Sequence, residues 1–437
     1  MTKRVVALLL AALIALPLSG CGRKEERGTE RAEKADIELS VVTSYGRGDG
    51  NRKSFEAAVA AYEAKTGVHV IDGSATSNEE WKNKVLADFM TGSEPDVLFY
   101  FTDVDADPFI NAGRVVSIEE IREEYPDYAT NMKQAMMAVA ADGKHYAVPA
   151  TGYWENLFVN RTVLKACGVS VPGPDYSWER FLNDCETIRR AGCTPIACSL
   201  FEIPHYLFEF AVLNNGTLKT HLNVPHLNKE GCLIRDSAAE SWIAGIEDIK
   251  ALYEAGYLPD DTLTATDAET VADFAEGRAA FLIDGSWKVG YLSEYYGDHL
   301  GDYVVCCVPG KGERKATEAI GGISMGYFIT RKAWNDPLKR EAAVSFVFHM
   351  TSEEVLSTFI TTEVTALIDG ASPVGLNGLQ QSAAETNACI TGIVGAVQDL
   401  ISGEAKSELF ADIQRCVTGQ MRAEEAVEAA IRLNEEP

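Results

Sequence analysis

From residue 37 onward the sequence alternates two hydrophobic periods, and this limits the fold more than any other feature. Ile37, Leu39 and Val41 repeat at every second residue, the period of a strand. Phe55, Val59 and Tyr62 then fall at i, i+4 and i+7, one face of a helix that Gly67 stops. Residues 68–71 read as a second short strand. Ser77, Asn78, Glu79 and Glu80 fit a capping box, and Trp81, Val85 and Phe89 form the buried stripe of the helix that follows. Gly92 ends that helix, and residues 97–101 are a third, wholly apolar strand. Strands separated by helices must be joined by right-handed crossovers, which gives an α/β fold with mostly parallel sheets. A second region of this kind begins near Tyr153, with strands at 157–160 and 193–199 and helices at 177–190 and 237–254. The 437 residues are enough for two cores.

In open α/β sheets ligands lie beyond the carboxyl ends of the strands. Those ends are the loops 43–49, 73–78 and 102–107, all rich in hydroxyl, amide and carboxylate groups, with Tyr45 and Trp81 beside them. That chemistry suits a neutral polyhydroxylated ligand and lacks the cations a nucleotide's phosphates would require. The overall balance agrees. With 39 Lys+Arg against 65 Asp+Glu the net charge is −26, which argues against nucleic acid and anionic lipid surfaces.

The N-terminus reads as an export signal. Lys3 and Arg4 precede an apolar run over residues 5–16, too short to span a bilayer, and Pro17 breaks it. Leu18, Ser19, Gly20 and Cys21 resemble the lipobox of bacterial lipoproteins, which implies cleavage before Cys21 and acylation of its thiol. Residues 1–20 are then a signal peptide, and 21–36 a lipidated, solvated tether on the outer face of the cytoplasmic membrane. Nine further cysteines remain, an odd number without zinc-ligand spacing. They read as small buried hydrophobes, with Cys193 and Cys198 as the pair to examine for a disulfide.

Enzymatic motifs fail on context. Gly322, Ser324 and Gly326 match the nucleophile elbow, yet the residues after them are β-type where that motif needs a helix. Asp103, Asp105 and Asp107 begin like a calcium loop, but Pro108 and Arg114 stand where Gly and Glu are required. No metal site, cofactor or catalytic residue is expected. A surface hydrolase using Ser324 or a carboxylate pair is the alternative from another class.

Several segments together resemble the extracellular solute-binding proteins of ABC importers, family 1, the maltose-type sugar binders. Phe274, Gly277, Arg278, Ala279 and Ala280, followed by Gly285 and Trp287, match its most recognisable stretch. Residues 55–70, Pro95-Asp96-Val97, Asp142-Gly143-Lys144 through Pro149, Asn160-Arg161, and Trp178 with Phe181 resemble further segments. The resemblance implies a two-lobed periplasmic-binding-protein-like fold whose chain crosses between lobes three times, near residues 150–153, 310–319 and 365–373. Lobe 1 is then 37–151 plus 316–371, and lobe 2 is 152–315 plus 372–437.

It also implies a monomeric, non-catalytic protein that closes on a carbohydrate and delivers it to ABC permease subunits. A binder of a peptide, a polyamine or a glycerol-phosphate ester is the alternative on the same fold. By position in the family pattern, Trp287 is expected to form the aromatic floor of the site, with Trp154 and Glu155 just after the first crossing. Tyr45, Asn78, Glu79, Trp81, Asp103, His205, Tyr206 and Gly322 are further candidates for ligand contact.

Overall fold

The computed structural model describes residues 37–47, 49–150, 152–359 and 376–435. Cys21, the signal and tether, and the crossing expected at 365–373 lie outside the described residues. Two sheets organise the rest. β1 (Glu38–Val42), β2 (His69–Asp72), β3 (Val97–Phe101), β4 (Val148–Pro149) and β10 (Met325–Ile329) form the first, in the order β2-β1-β3-β10-β4. β5 (Tyr153–Asn160), β6 (Thr194–Ala197), β7 (Ala279–Gly285), β8 (Tyr303–Cys306), β9 (Glu318–Gly322) and β11 (Gly392–Val394) form the second, ordered β11-β9-β5-β7-β6 with β8 also on β5.

In each sheet one strand opposes the others. β10 is antiparallel to β3 and β4, and β5 is antiparallel to β7, β8 and β9, while β1 with β2 and β3, β6 with β7, and β9 with β11 are parallel. The two opposed strands are the ones reached directly from the other sheet, with no crossover helix to turn the chain around. β4 ends at Pro149 in the first sheet and β5 begins at Tyr153 in the second.

The other described change of sheet is a correction. It was expected within residues 310–319, but β9 runs to Gly322 in the second sheet and only Ile323 and Ser324 separate it from β10. Residues 310–318 fold instead around Arg314, 3% exposed, whose guanidinium donates to the carbonyls of Pro309 at 2.8 Å and Glu318 at 2.6 Å. A turn wrapped on a buried arginine is fixed, so glycine content there does not mark a crossing.

Each sheet carries its own core. Leu39, Val41, Phe55, Tyr62, Phe99 and Phe346 pack in the first, and Leu157, Phe181, Phe208, Trp242, Ile246 and Phe281 in the second. The opposite face of β5 and β7 is filled by Trp154, Phe158, Leu282 and Val305. Such burial is the main stabilising term, about 25 cal/mol per Å² of apolar surface. The nine described cysteines are free thiols. Cys193 meets Cys167 rather than Cys198, because β6 lies between 193 and 198 and an extended strand of that length separates its ends by roughly 16 Å.

Candidate ligand cleft

The two sheets belong to halves that touch through charged and glycine contacts. Lys406, on the helix Gly403–Val417 of the second core, places its Nζ 3.3 Å from Asp399 and 3.5 Å from Asp105, which follows β3 of the first sheet. Lys82, on the helix Glu79–Thr91, reaches Asp105 at 2.8 Å and lies 4.3 Å from the centre of the Phe101 ring. Farther along, Lys53 pairs with Glu294 at 2.9 Å. Beside that pair the backbones meet at Gly50 and Gly290, where a Cβ built on Gly290 would be 2.5 Å from Gly50 Cα. The apposed surfaces leave no room for a side chain at either glycine.

The second half supplies a compact aromatic and acidic group between these contacts. On β5, alternation puts Tyr153 and Glu155 on one face and Trp154 on the other. On the helix His205–Asn214, Glu209 stands at i+4 from His205 and i+3 from Tyr206, next to both. Trp287 opens the helix Trp287–Tyr295 just past β7, and its ring lies over Gly285, where a Cβ would meet the indole at 2.2 Å. The half-buried Trp287 stands 6.2 Å from the Tyr153 ring and 6.1 Å from that of Tyr206, between the two tyrosines. His205 is 4.1 Å from Tyr206 and 5.8 Å from Phe410.

Burial raises the pKa values of several carboxyls in and around this row. Glu155 is 3% exposed and Glu209 fully buried, and the Gln398 amide donates to Glu209 Oε2 at 3.3 Å. Glu155 and Glu209 hydrogen-bond to one another through their side chains. Burial and then the neighbouring Glu209 push Glu155 well above the carboxylate range. Burial likewise raises Glu209 to about 8. Asp284 rises by burial to about 7 although Lys288 lies 3.6 Å away, and Lys288 also holds Asp267 at 2.7 Å. Asp103 rises to about 7 by burial, with Asp399 and Asp105 adding to it. His205 is lowered to about 3 by burial and by Lys82, Lys406 and Lys288, so it is neutral across the physiological range. A protonated Glu155 or Glu209 and a neutral His205 imidazole can donate as well as accept, which matches hydroxyl-bearing ligands.

The residues singled out from sequence therefore divide. Glu155, His205, Tyr206 and Trp287 come together, and Gly322 pairs with Tyr153 at the end of β9 with open space where a Cβ would be. Trp154 does not join them. It is 2% exposed, stacked on Phe158 in the core behind the sheet. Tyr45 is likewise core, packed on Phe55, Phe99 and Phe359 at 5.1–5.5 Å. Trp81, 4% exposed, packs on Tyr100 as part of its helix stripe. Asn78 caps that helix, accepting from the Trp81 N–H at 2.9 Å, and the Glu79 side chain lies outside the described residues. Asp103 accepts from the Asp105 N–H at 3.0 Å while its other oxygen is buried without a partner.

Tyr153, Glu209, Gln398, Asp399, Lys82 and Lys406 were missed. Two had a signal: Tyr153 shares a strand face with Glu155, and Glu209 is one helical turn from Tyr206. The other four come from separate parts of the chain that only the tertiary fold unites.

The comparisons with known proteins agree with this architecture. Residues 57–373 match the bacterial extracellular solute-binding protein family. A maltooligosaccharide ABC transporter solute-binding lipoprotein of Streptococcus pneumoniae is 24% identical over 360 residues, spanning 80% of this chain and 77% of that one. Among solved structures, a chitin oligosaccharide binding protein superposes with a TM-score of 0.77 at 19% identity, over 92% of this chain and 98% of the other. The solute-binding protein RafE in complex with raffinose gives 0.73 at 17% identity, over 92% and 100%. With a family match running across most of its length and two-lobed binding proteins as structural neighbours, the chain belongs to the bacterial extracellular solute-binding protein family.

Proposed function

We propose that the chain captures a carbohydrate, most simply an oligosaccharide, between its two lobes and presents the closed form to the permease of an ABC importer. One observation carries the reading: the Tyr153, Trp287 and Tyr206 row, backed by Glu155 and Glu209. Aromatic faces pack on the C–H faces of pyranose rings, and polar groups beside them take the hydroxyls. The names of the similar proteins, binders of maltooligosaccharide, chitin oligosaccharide and raffinose, support the same class.

Lobes joined at 150–153 and at Ile323–Ser324 would hinge there. Moving an open–closed equilibrium from 1:99 to 99:1 takes about 5.5 kcal/mol of differential binding. A micromolar ligand supplies about 8 kcal/mol in all, enough for capture to drive closure. An acylated Cys21 would hold the monomer at the outer face of the membrane, within reach of the permease. Binding without turnover is the role in this reading.

A thermal-shift screen of the mature chain against mono- and oligosaccharides tests it, with peptides and polyamines as controls. A saturating sugar at a hundred times its Kd stabilises by about 2.7 kcal/mol, which is visible as a raised Tm. The expected result is a sugar hit abolished by Trp287→Ala. Hits confined to peptides or polyamines would overturn the sugar while keeping the fold.

A further inference from the structure

The length of the cleft is set by where the lobes touch. Trp287, Tyr206, His205 and Phe410 follow one another along it at ring separations of 6.1, 4.1 and 5.8 Å. Each end of this row runs into a lobe–lobe contact. Gly290, three residues past Trp287 on the same helix, meets the Gly50 backbone, and one turn farther on Glu294 pairs with Lys53. Lys406, one turn before Phe410 on its own helix, reaches Asp105, which Lys82 also holds. The back is shut by the chain itself. Tyr153, beside Trp287, is paired with Gly322, and both stand where the chain passes between the two sheets.

Neither end has room for a sugar chain to pass. At the glycine end a single Cβ on Gly50 would stand 2.7 Å from Gly290 Cα, and a pyranose is far wider than a methyl group. At the other end the side chains of Lys406, Asp105 and Lys82 are 3%, 10% and 13% exposed. A chain threaded there would part charges that are largely out of water, and a buried pair broken in that way leaves each charge uncompensated.

We propose that the cleft encloses its solute at both ends, so that the cargo is a short sugar of one to three rings held whole between the lobes, and not a stretch of a longer chain. The proposal rests on the carbohydrate reading above and narrows it. Three ring-to-ring steps of stacking surface serve a sugar of that length, and the contacts that bound them act as the length filter. A longer chain keeps the same stacking faces but holds the lobes apart, and a clash of this kind is how a site rejects a close relative of its ligand.

Calorimetric titration of the mature chain with length ladders tests the proposal. Malto-, cello-, xylo- and chito-oligosaccharides are each run from one ring to six. In the series that binds, affinity should peak at three rings or fewer and fall about tenfold or more by the tetramer. Lys406→Ala removes the lobe–lobe tie at one end and should bring the tetramer back towards the affinity of the best short sugar. Affinity that holds level or rises from the trimer to the hexamer overturns the enclosure and leaves the carbohydrate reading standing. A length limit unchanged in Lys406→Ala overturns the charged contact as one of the two walls, and the ladder on the unaltered chain decides the enclosure even should that variant melt early. Silence from every sugar overturns the carbohydrate reading, and the proposal with it.

Discussion

The two halves of the cleft use their polar side chains in opposite ways. In the first half, Asn78 and Asp103 follow β2 and β3 and each binds a backbone N–H two or three residues on, ordering the start of a helix. In the second half, Glu155 and Glu209 project from a strand and a helix and hydrogen-bond to one another. Loop carboxylates and amides are the preferred caps and turn formers, so their presence at strand ends says little about a ligand. Polar groups held on regular elements have no such local use. Their burial has to be justified by something else.

The aromatic residues make the same contrast with the largest expected effects. Trp154, on the central strand β5, lies in the core, whereas Trp287, on the helix just past β7, is only partly buried. Trp154→Ala should lower the unfolding free energy by about 3–5 kcal/mol in a urea titration, the usual cost of an emptied tryptophan site. Trp287→Ala should leave that midpoint nearly unchanged and weaken ligand by about tenfold or more, as loss of a buried aromatic anchor does. An affinity loss in Trp154→Ala without destabilisation would break the comparison.

Closure can be blocked from the second half alone. At Gly290 any Cβ strikes the Gly50 backbone, so Gly290→Val should wedge the lobes apart. Because the position is helical and Val has the better helix propensity by several tenths of a kcal/mol, the fold itself should not suffer. Small-angle scattering should then show no ligand-induced compaction, with affinity down about tenfold. Normal compaction would mean that the lobes meet elsewhere.

The carboxyl pair predicts a pH dependence of definite sign. Glu209 is raised from 4.5 to about 8 in the folded chain, so the folded state holds a proton that the unfolded state has released. Stability therefore falls as pH rises between those values. Asp103 and Asp284, each raised to about 7, act in the same direction. Melting temperature in the absence of ligand should decline from pH 5 to pH 8, and Glu209→Gln should flatten part of the slope. A slope unaltered by that variant would show that Glu209 does not hold the proton.

Much of this was legible in the chain. Periodicity located β1, β3 and the helices around them, since apolar spacing is a local signal. The family pattern singled out Trp287, which stands beside Tyr153 and Tyr206. Trp154, expected in the cleft, lies in the core instead, because a strand sends adjacent side chains to opposite faces and Tyr153 and Glu155 take the other one. Lys406 and Asp399 could not be seen at all. Lys406 reaches Asp105 from about three hundred residues away and binds Asp399 as well, and only the packing of the helix Gly403–Val417 brings it there.

The smallest effect is the sharpest test of the contrast between loop and element. Asn78 caps the helix Glu79–Thr91 through one bond to the Trp81 N–H. Removing it in Asn78→Ala should cost about 1 kcal/mol, the ordinary value of a cap. The loss should appear as a lowered urea midpoint with ligand affinity unchanged within about twofold. Lys82, on that helix, must stay in place for this to hold, since its ammonium ties the helix to Asp105. A weakened ligand in Asn78→Ala with Lys82 still paired would give Asn78 a direct contact, and the first half would then share in recognition.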